Sequence, residues 1–278
     1  LMVGVISCDS DSPEPGPSMD LRGMEPLEQD LVNTSNTLAI DIARSAHFAD
    51  GESNVFISPF NLSMAMGMLL NGTSEEPGDA VRRYIGLPEY NSVEINKAYS
   101  EIRGLLEIID PDVGVRMANG LWSHIDHRFD DDFASRVMAY YDAEVREFDF
   151  QRDLAVKMIN RWAEIKSGGF VRDLVRSVDS QPGFLYTGAT VLEASWLRSF
   201  DPELSGEGLF YMSAGKTQKA YMMRSPSMPA RYFAGKEATL IEIDYGSGSY
   251  CFSILMPREA TGLDPLVKDL RIEALYNM

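Results

Sequence analysis

Hydrophobic and polar positions in the first half of the chain repeat mainly at helical spacing. Leu38, Ile42, Ala46 and Ala49 fall on one side of a helix, which is predicted over 31–49. The same periodicity, stopped in places by glycine or proline, predicts further helices over 79–85, 93–109, 130–141 and 154–166. The first half of the chain is therefore predicted to be mostly helical.

The most apolar stretch of the chain covers residues 54–73. Its apolar run at 55–57 predicts a short buried strand. Pro59 suits the first turn of a helix, and the hydroxyl of Ser58 can accept a hydrogen bond from the free N–H groups at the helix start. Because no charged residue occurs from 62 to 70, this helix is predicted to lie inside the molecule.

Strand periodicity takes over in the second half. Strands are predicted over 114–122 and 143–150, and a run rich in Thr, Val, Leu and aromatic residues predicts a buried central strand over 184–197. After Phe210 the pattern is mostly that of strands, and a last helix is predicted over 264–276. Helices followed by strands indicate an α+β fold.

The composition narrows the classes of function. The chain has 278 residues, 45% of them hydrophobic, and a net charge of −17, so phosphate backbones would repel it and no nucleic-acid partner is expected. The favoured explanation of this charge is a solvated acidic surface that aids solubility. The alternatives are a source organism adapted to high salt, or a binding target that is itself basic. The two cysteines, Cys8 and Cys251, exclude a disulfide framework, and Cys251 is predicted to be a buried small hydrophobe.

The first 30 residues are interpreted as a signal-peptide remnant followed by a flexible linker. Residues 5–8, Val-Ile-Ser-Cys, fit the cleavage box of bacterial lipoproteins, in which Cys8 would carry the lipid that anchors the protein to a membrane. The alternative is a secretory segment cleaved elsewhere, with an incidental cysteine. Either interpretation predicts export, to an extracellular, cell-surface or periplasmic location.

Catalytic chemistry has little support in the sequence. His124 and His127 form the only close histidine pair, but no further His or Cys lies nearby, so a solvated turn is favoured over a metal site. The chain has no Gly-x-Ser-x-Gly elbow, Walker loop or dinucleotide fingerprint. We therefore expect neither an enzyme nor a cofactor, although a Ser-His-Asp triad, and with it a secreted hydrolase, is left open.

The segment 54–73 resembles the start of a serpin, a member of the family of serine protease inhibitors. Further motifs typical of that family follow in its order, through to 278. They are Arg116–Trp122, Tyr140–Phe150, Ile159-Asn160 with Trp162, Gly169 and Asp173-Leu174, then Phe200–Glu203, Phe210-Tyr211, Gly215–Thr217, Met222-Met223 and Ser253–Pro257. The resemblance implies a serpin domain over 31–278, with N-terminal helices packed on a large mixed sheet beside smaller sheets.

In that family an exposed loop serves as bait for a serine protease, or less often a cysteine protease. The cleaved loop inserts into the main sheet and traps the protease as an acyl-enzyme. The resemblance thus implies a monomeric suicide-substrate inhibitor without catalytic residues. It also implies a cluster at which the sheet opens, formed by Ser58, Asn61 and Glu193. A buried Glu193 would need a partner or a raised pKa.

The chain departs from the family pattern at two places. The usual Lys-Gly-x-Trp is missing, because residues 197–202 run directly from the predicted strand into Phe200-Asp-Pro, and Trp196 lies earlier than the family's tryptophan. The reactive loop is expected beyond Met278, which makes the chain an incomplete serpin, truncated before that loop. These departures leave a second interpretation open, a non-inhibitory serpin-fold protein that binds or carries a ligand.

Overall fold

The computed structural model describes residues 23–49, 54–149, 153–178, 183–212, 216–259 and 261–276, which form an α+β fold. Their contacts divide into two units. The first unit contains 23–108 and 114–192, and the second contains 109–113 and 193–276. Each unit is described by itself below.

Six helices belong to the first unit. Their bounds are α1 Pro26–Ala49, α2 Pro59–Leu70, α3 Glu75–Tyr84, α4 Ser92–Ile108, α5 Asp131–Tyr141 and α6 Asp153–Lys166. Helix α1 begins five residues before its predicted start, where the Glu28 carboxylate accepts the N–H of Glu25 at 2.8 Å. Helix α3 begins four residues early, and Glu75 and Glu76 in its first turn favour this start because they face the positive end of the helix dipole.

Helix α2 lies mostly inside the first unit, as its lack of charge predicted. Met64 and Met68 are fully buried, and only Leu69 among its large side chains is clearly exposed. The segment before the helix behaves differently. Residues 55–57 form no strand, and the side chain of Phe56 is 100% exposed, so the prediction of a buried strand was wrong. An apolar run indicates what could be buried, but burial also requires a neighbouring strand to pair with it, and none does so among the described residues.

The first unit also contains a three-stranded sheet. Its strands are β1 Val113–His124, β2 Ala143–Phe148 and β3 Phe184–Ala194, in the order β2-β1-β3. Strands β1 and β2 are parallel, with Asn119 opposite Ala143. Strand β3 therefore lies at an edge of the described sheet rather than at its centre, and its burial alternates along the strand.

Helix α6 packs on β1 through an aromatic cluster. The Trp122 and Trp162 rings meet edge to face at 5.3 Å, and Ile159 is fully buried beside them. The opposite face of β1 packs against α2, since the Asn119 amide lies 3.8 Å from the Met64 sulfur. Burial on both faces explains why β1 is almost continuously buried from Met117 to Ser123.

The second unit is built mainly from strands, as predicted. Strands β4 Gly206–Tyr211 and β5 Thr217–Met222 form one antiparallel pair, and β6 Arg231–Ala234, β7 Ala238–Tyr245 and β8 Tyr250–Pro257 form an antiparallel sheet. The predicted last helix is divided into α7 Leu263–Asp269 and α8 Ile272–Tyr276, because Leu270 between them is extended, with φ −59° and ψ 132°.

The turn between β7 and β8 is organised around a buried carboxylate. Asp110 is 2% exposed, and its oxygens accept the backbone N–H groups of Ser247 at 2.9 Å, Ser249 at 3.2 Å and Asp112 at 3.0 Å. Gly246 has a φ of +54°, and a Cβ there would lie 2.8 Å from both carboxylate oxygens. Glycine at this position thus lets the turn close on the carboxylate.

Candidate functional site

Two of the three residues of the predicted cluster lie at one cavity of the first unit. The α2 cavity, at the amino end of α2, has a volume of about 320 Å³. It is lined by Ile42, Ile57, Ser58, Asn61, Leu62 and Tyr186 among others. The cavity therefore combines apolar walls with a hydroxyl, an amide and a phenol.

Asn61 is the centre of the polar contacts at this cavity. Thr190 of β3 donates its hydroxyl hydrogen to Asn61 Oδ1 at 2.7 Å. The Tyr186 hydroxyl lies 2.9 Å from Asn119 Oδ1 and 3.2 Å from the Asn61 carbonyl oxygen, so it can donate to either acceptor. Burial raises the pKa of Tyr186, which keeps this hydroxyl a donor throughout the physiological range.

Tyr186 and Thr190 were missed by the sequence argument. Both stand on one face of β3, together with Gly188, because side chains alternate along a strand. That alternation was the available signal, but it does not say which face meets α2. Asn61 and Thr190 are separated by 129 residues, so only the tertiary structure shows that they pair.

The polar contacts continue from Asn119 into the helical layer. Asn119 donates its amide to the Tyr141 carbonyl oxygen at 2.8 Å, and the Tyr141 hydroxyl donates to Asn96 Oδ1 at 2.7 Å. Asn71 and Asn96 then exchange two amide hydrogen bonds of 2.8 Å each. Helices α2, α4 and α5 and strands β1 and β3 are thus joined by one buried polar network.

Ser58 stands at the cap of α2 but does not act as predicted. Its backbone is extended, with φ −110° and ψ 101°, which suits the residue before a helix. Its hydroxyl makes no hydrogen bond to the helix N–H groups. The predicted helix-cap bond is therefore absent, and the hydroxyl lines the α2 cavity instead.

Glu193, the third residue of the predicted cluster, does not join Ser58 and Asn61 at the cavity. Its side chain is exposed, and it is not among the residues that line the α2 cavity. The condition set for a buried carboxylate therefore does not arise here, because an exposed Glu193 keeps its hydration. Next along the chain, the Trp196 ring stacks on Tyr245 with centroids 4.4 Å apart.

The remaining candidates show no catalytic arrangement among the described residues. His124 accepts the Asp126 N–H at Nδ1 in a turn, and no group of three or more His, Cys, Asp or Glu residues there is placed to hold a metal. Cys251 is half-buried rather than buried, and burial raises the pKa of its thiol. The predicted lipidation site, Cys8, lies outside the described residues.

Within the described ranges, none of the helices combines the length and the apolar character that crossing a bilayer requires.

Comparison with known families decides what kind of protein carries this site. The family model described as "Serpin (serine protease inhibitor)" matches residues 33–278. The chain belongs to the serpin family. Among serpins of known sequence, the leukocyte elastase inhibitor of Bos taurus is 26% identical, over 88% of this chain and 67% of its own length. An uncharacterised serpin-like protein of Thermococcus kodakarensis is 25% identical, over 84% of this chain and 55% of its own length.

Solved serpin structures share the fold. Human glycosylated kallistatin matches with a TM-score of 0.85 at 18% identity, over 90% of this chain and 68% of its own. Arabidopsis AtSerpin1 in its native stressed conformation matches with a TM-score of 0.79 at 20% identity, over 89% and 65% of the two chains. The α+β serpin fold is thereby confirmed. The chain spans between 55% and 67% of the length of the two relatives of known sequence named above.

Proposed function

We propose that the protein is an inhibitor of serine proteases, with cysteine proteases as a second class of target. In this proposal a bait segment of the full-length protein is cleaved and then adds to the sheet as a new strand. The observation that carries the proposal is the match of residues 33–278 to the serine protease inhibitor family, with the leukocyte elastase inhibitor of Bos taurus among the relatives. A strand that pairs with β3 would use the backbone N–H and C=O groups on the side away from β1.

The contacts of β3 with the helical layer support this proposal. Thr190 and Tyr186 hold the strand to α2 and β1 through hydroxyl hydrogen bonds, and Thr187 accepts the Trp122 indole N–H at 2.8 Å. Hydroxyl groups can exchange one partner for another or for water at a small net cost. A strand held in this way can shift when a further strand enters the sheet.

The proposal predicts a covalent complex. The natural protein at its full length is mixed with a panel of serine proteases, and we expect a complex that survives SDS because the acyl-enzyme bond is trapped. A protease whose nucleophilic serine is replaced by alanine is the matched control and should give no such band. Cleavage of the inhibitor without any stable complex across the whole panel would contradict inhibition.

A non-inhibitory binding or carrier role is the second candidate. It is favoured by the short connection after β3, where Leu197 leads directly to Phe200-Asp201 without the Lys-Gly-x-Trp segment that is usual in the family. Heating the full-length protein after cleavage of its bait segment separates the two roles. An inhibitor should unfold at a much higher temperature after cleavage, since the inserted strand completes the sheet. An unchanged unfolding temperature would favour the carrier.

A further inference from the structure

Helix α6 has two apolar stripes, and only one of them is buried. The buried stripe, which includes Ile159 and Trp162, packs on β1. Leu154, Met158 and Ile165 recur at helical spacing on another side of α6, where Leu154 is 62% and Ile165 is 61% exposed. Packing on the sheet needs the buried stripe alone, so the exposed stripe is suited to a contact with a partner.

Residues 154–178 are basic within a chain that is strongly acidic. They include five basic and two acidic residues, a net charge of +3, whereas the whole chain has a net charge of −17. The five basic side chains are all exposed, and they belong to Lys157, Arg161, Lys166, Arg172 and Arg176. This stretch therefore has the opposite sign of charge to the chain as a whole.

Two of these cations already lie near a carboxylate. Arg161 bonds Glu164 at 2.7 Å, and Lys166 Nζ lies 3.7 Å from Glu144. The side chains of both pairs are partly exposed, and exposed ion pairs contribute little to stability because water and salt screen them. An anionic partner can therefore compete with these carboxylates for both cations.

The segment after α6 is held against the helix. Ser167 Oγ accepts the Val171 N–H at 2.8 Å, and Asn160 of α6 exchanges hydrogen bonds of 2.8 and 2.9 Å with the backbone of Val175. Val171 and Val175 pack against the hydrophobic cluster at α6, while Arg172 stays exposed. The helix and this segment thus present one preformed surface, the α6 surface, which comprises the exposed side chains of residues 154–178.

We propose that the α6 surface docks on a membrane that contains anionic phospholipids. Its Lys and Arg side chains contact the lipid phosphates. Leu154, Ile165 and Phe170, which is 64% exposed, enter the boundary between headgroups and acyl chains. These exposed apolar side chains favour a lipid layer over an acidic protein, because binding to an acidic protein through charge would use the cations alone.

The net charge of −17 does not prevent this contact. At physiological ionic strength the Debye length is about 8 Å, so a membrane interacts mainly with the charges that lie closest to it. Docking of the α6 surface involves neither a bait segment nor a protease. The membrane proposal and the inhibitor proposal can therefore fail independently of each other.

The test is sedimentation of the whole chain, without lipid on Cys8, with vesicles of phosphatidylcholine that either contain or lack phosphatidylglycerol. The partition coefficient should be at least about tenfold higher with phosphatidylglycerol. Lys157→Gln with Arg176→Gln should lower it by about tenfold or more, since each basic side chain near an anionic surface contributes about fivefold. Leu154→Gln with Ile165→Gln should also lower it by about tenfold or more, because two apolar side chains are lost from the interface.

Arg83→Gln with Lys97→Gln is the matched control, because it changes the net charge by the same amount. Both residues are exposed and lie in α3 and α4, which contact α2 on the other face of β1. The partition coefficient of this variant should stay within about threefold of that of the unchanged protein. Circular dichroism of each variant checks that it is folded.

Four results would overturn the proposal. They are equal binding to the two kinds of vesicle, an equal loss in the control and the Lys157/Arg176 variant, unchanged binding in the Leu154/Ile165 variant, and binding to immobilised polyglutamate but not to vesicles. The last result would assign the α6 surface to an acidic protein partner instead.

Discussion

Asn96→Ala is expected to lower the free energy of unfolding of the first unit by about 3 kcal/mol. The substitution removes both amide hydrogen bonds to Asn71 and the acceptor of the Tyr141 hydroxyl, all inside the protein. Each buried polar group that loses its partner costs about 1–3 kcal/mol, and Asn71 retains only the bond from its amide to the Gly67 carbonyl oxygen. Urea unfolding in a Trp196→Phe background measures this, because the remaining tryptophans, Trp122 and Trp162, lie in the first unit.

Asn33→Ala is the matched control for this substitution. Asn33 is an exposed residue of α1, and alanine has the higher helix propensity, so stability should stay the same or rise slightly. A double-mutant cycle between Asn71→Ala and Asn96→Ala should give a coupling free energy of about 1 kcal/mol or more. A loss below about 0.5 kcal/mol for Asn96→Ala, in the range of ordinary surface changes, would show that the amide pair does not stabilise the fold.

Gly67→Ala is expected to destabilise the same unit by about 2 kcal/mol, although alanine is the better helix former. A Cβ at position 67 would lie 2.5 Å from the Tyr141 hydroxyl oxygen and 2.5 Å from a ring carbon of Tyr99. Both tyrosines are buried, with ring centroids 5.4 Å apart, so neither can move aside without disturbing the other. Overpacking of this kind costs about 1–3 kcal/mol, which exceeds the gain in helix propensity of about 1 kcal/mol.

The same substitution at Gly104 should act in the opposite direction. Gly104 lies inside α4, and a Cβ there would meet nothing within 4 Å. Gly104→Ala should therefore raise the free energy of unfolding by roughly 0.5–1 kcal/mol. Urea unfolding of the two variants side by side separates packing from propensity, and stabilisation by both would show that α2 has space at position 67.

Local patterns in the sequence determined most of the secondary structure. The absence of charge from 62 to 70 predicted that α2 lies inside, and periodicity predicted a helix over 130–141. The structure begins α5 at Asp131, where the Asp130 carboxylate accepts the N–H groups of Asp132 and Phe133. Glycines 168 and 169, with φ of +68° and +92°, end the α6 segment as predicted. These features depend on residues a few positions apart, so the sequence contains their physical cause.

The candidate site could be predicted only in part. Ser58 and Asn61 were found through the family resemblance, and both line the α2 cavity, but Glu193 is exposed and the hydroxyl of Ser58 caps no helix. Tyr186 was not anticipated, because nothing in the local pattern of β3 specifies a contact with Asn119, 67 residues earlier.

The amino-acid sequence by itself determined the α+β class, the serpin family and the buried character of α2, since each follows from periodicity, charge and motif order along the chain. The tertiary structure alone decided that β3 lies at the edge among the described strands, that residues 55–57 pair with no described strand, and that Asn61 meets Thr190. The reason is physical: hydrophobicity and alternation show which face of a segment can be buried. Which surface covers that face depends on contacts between residues that are far apart in the chain.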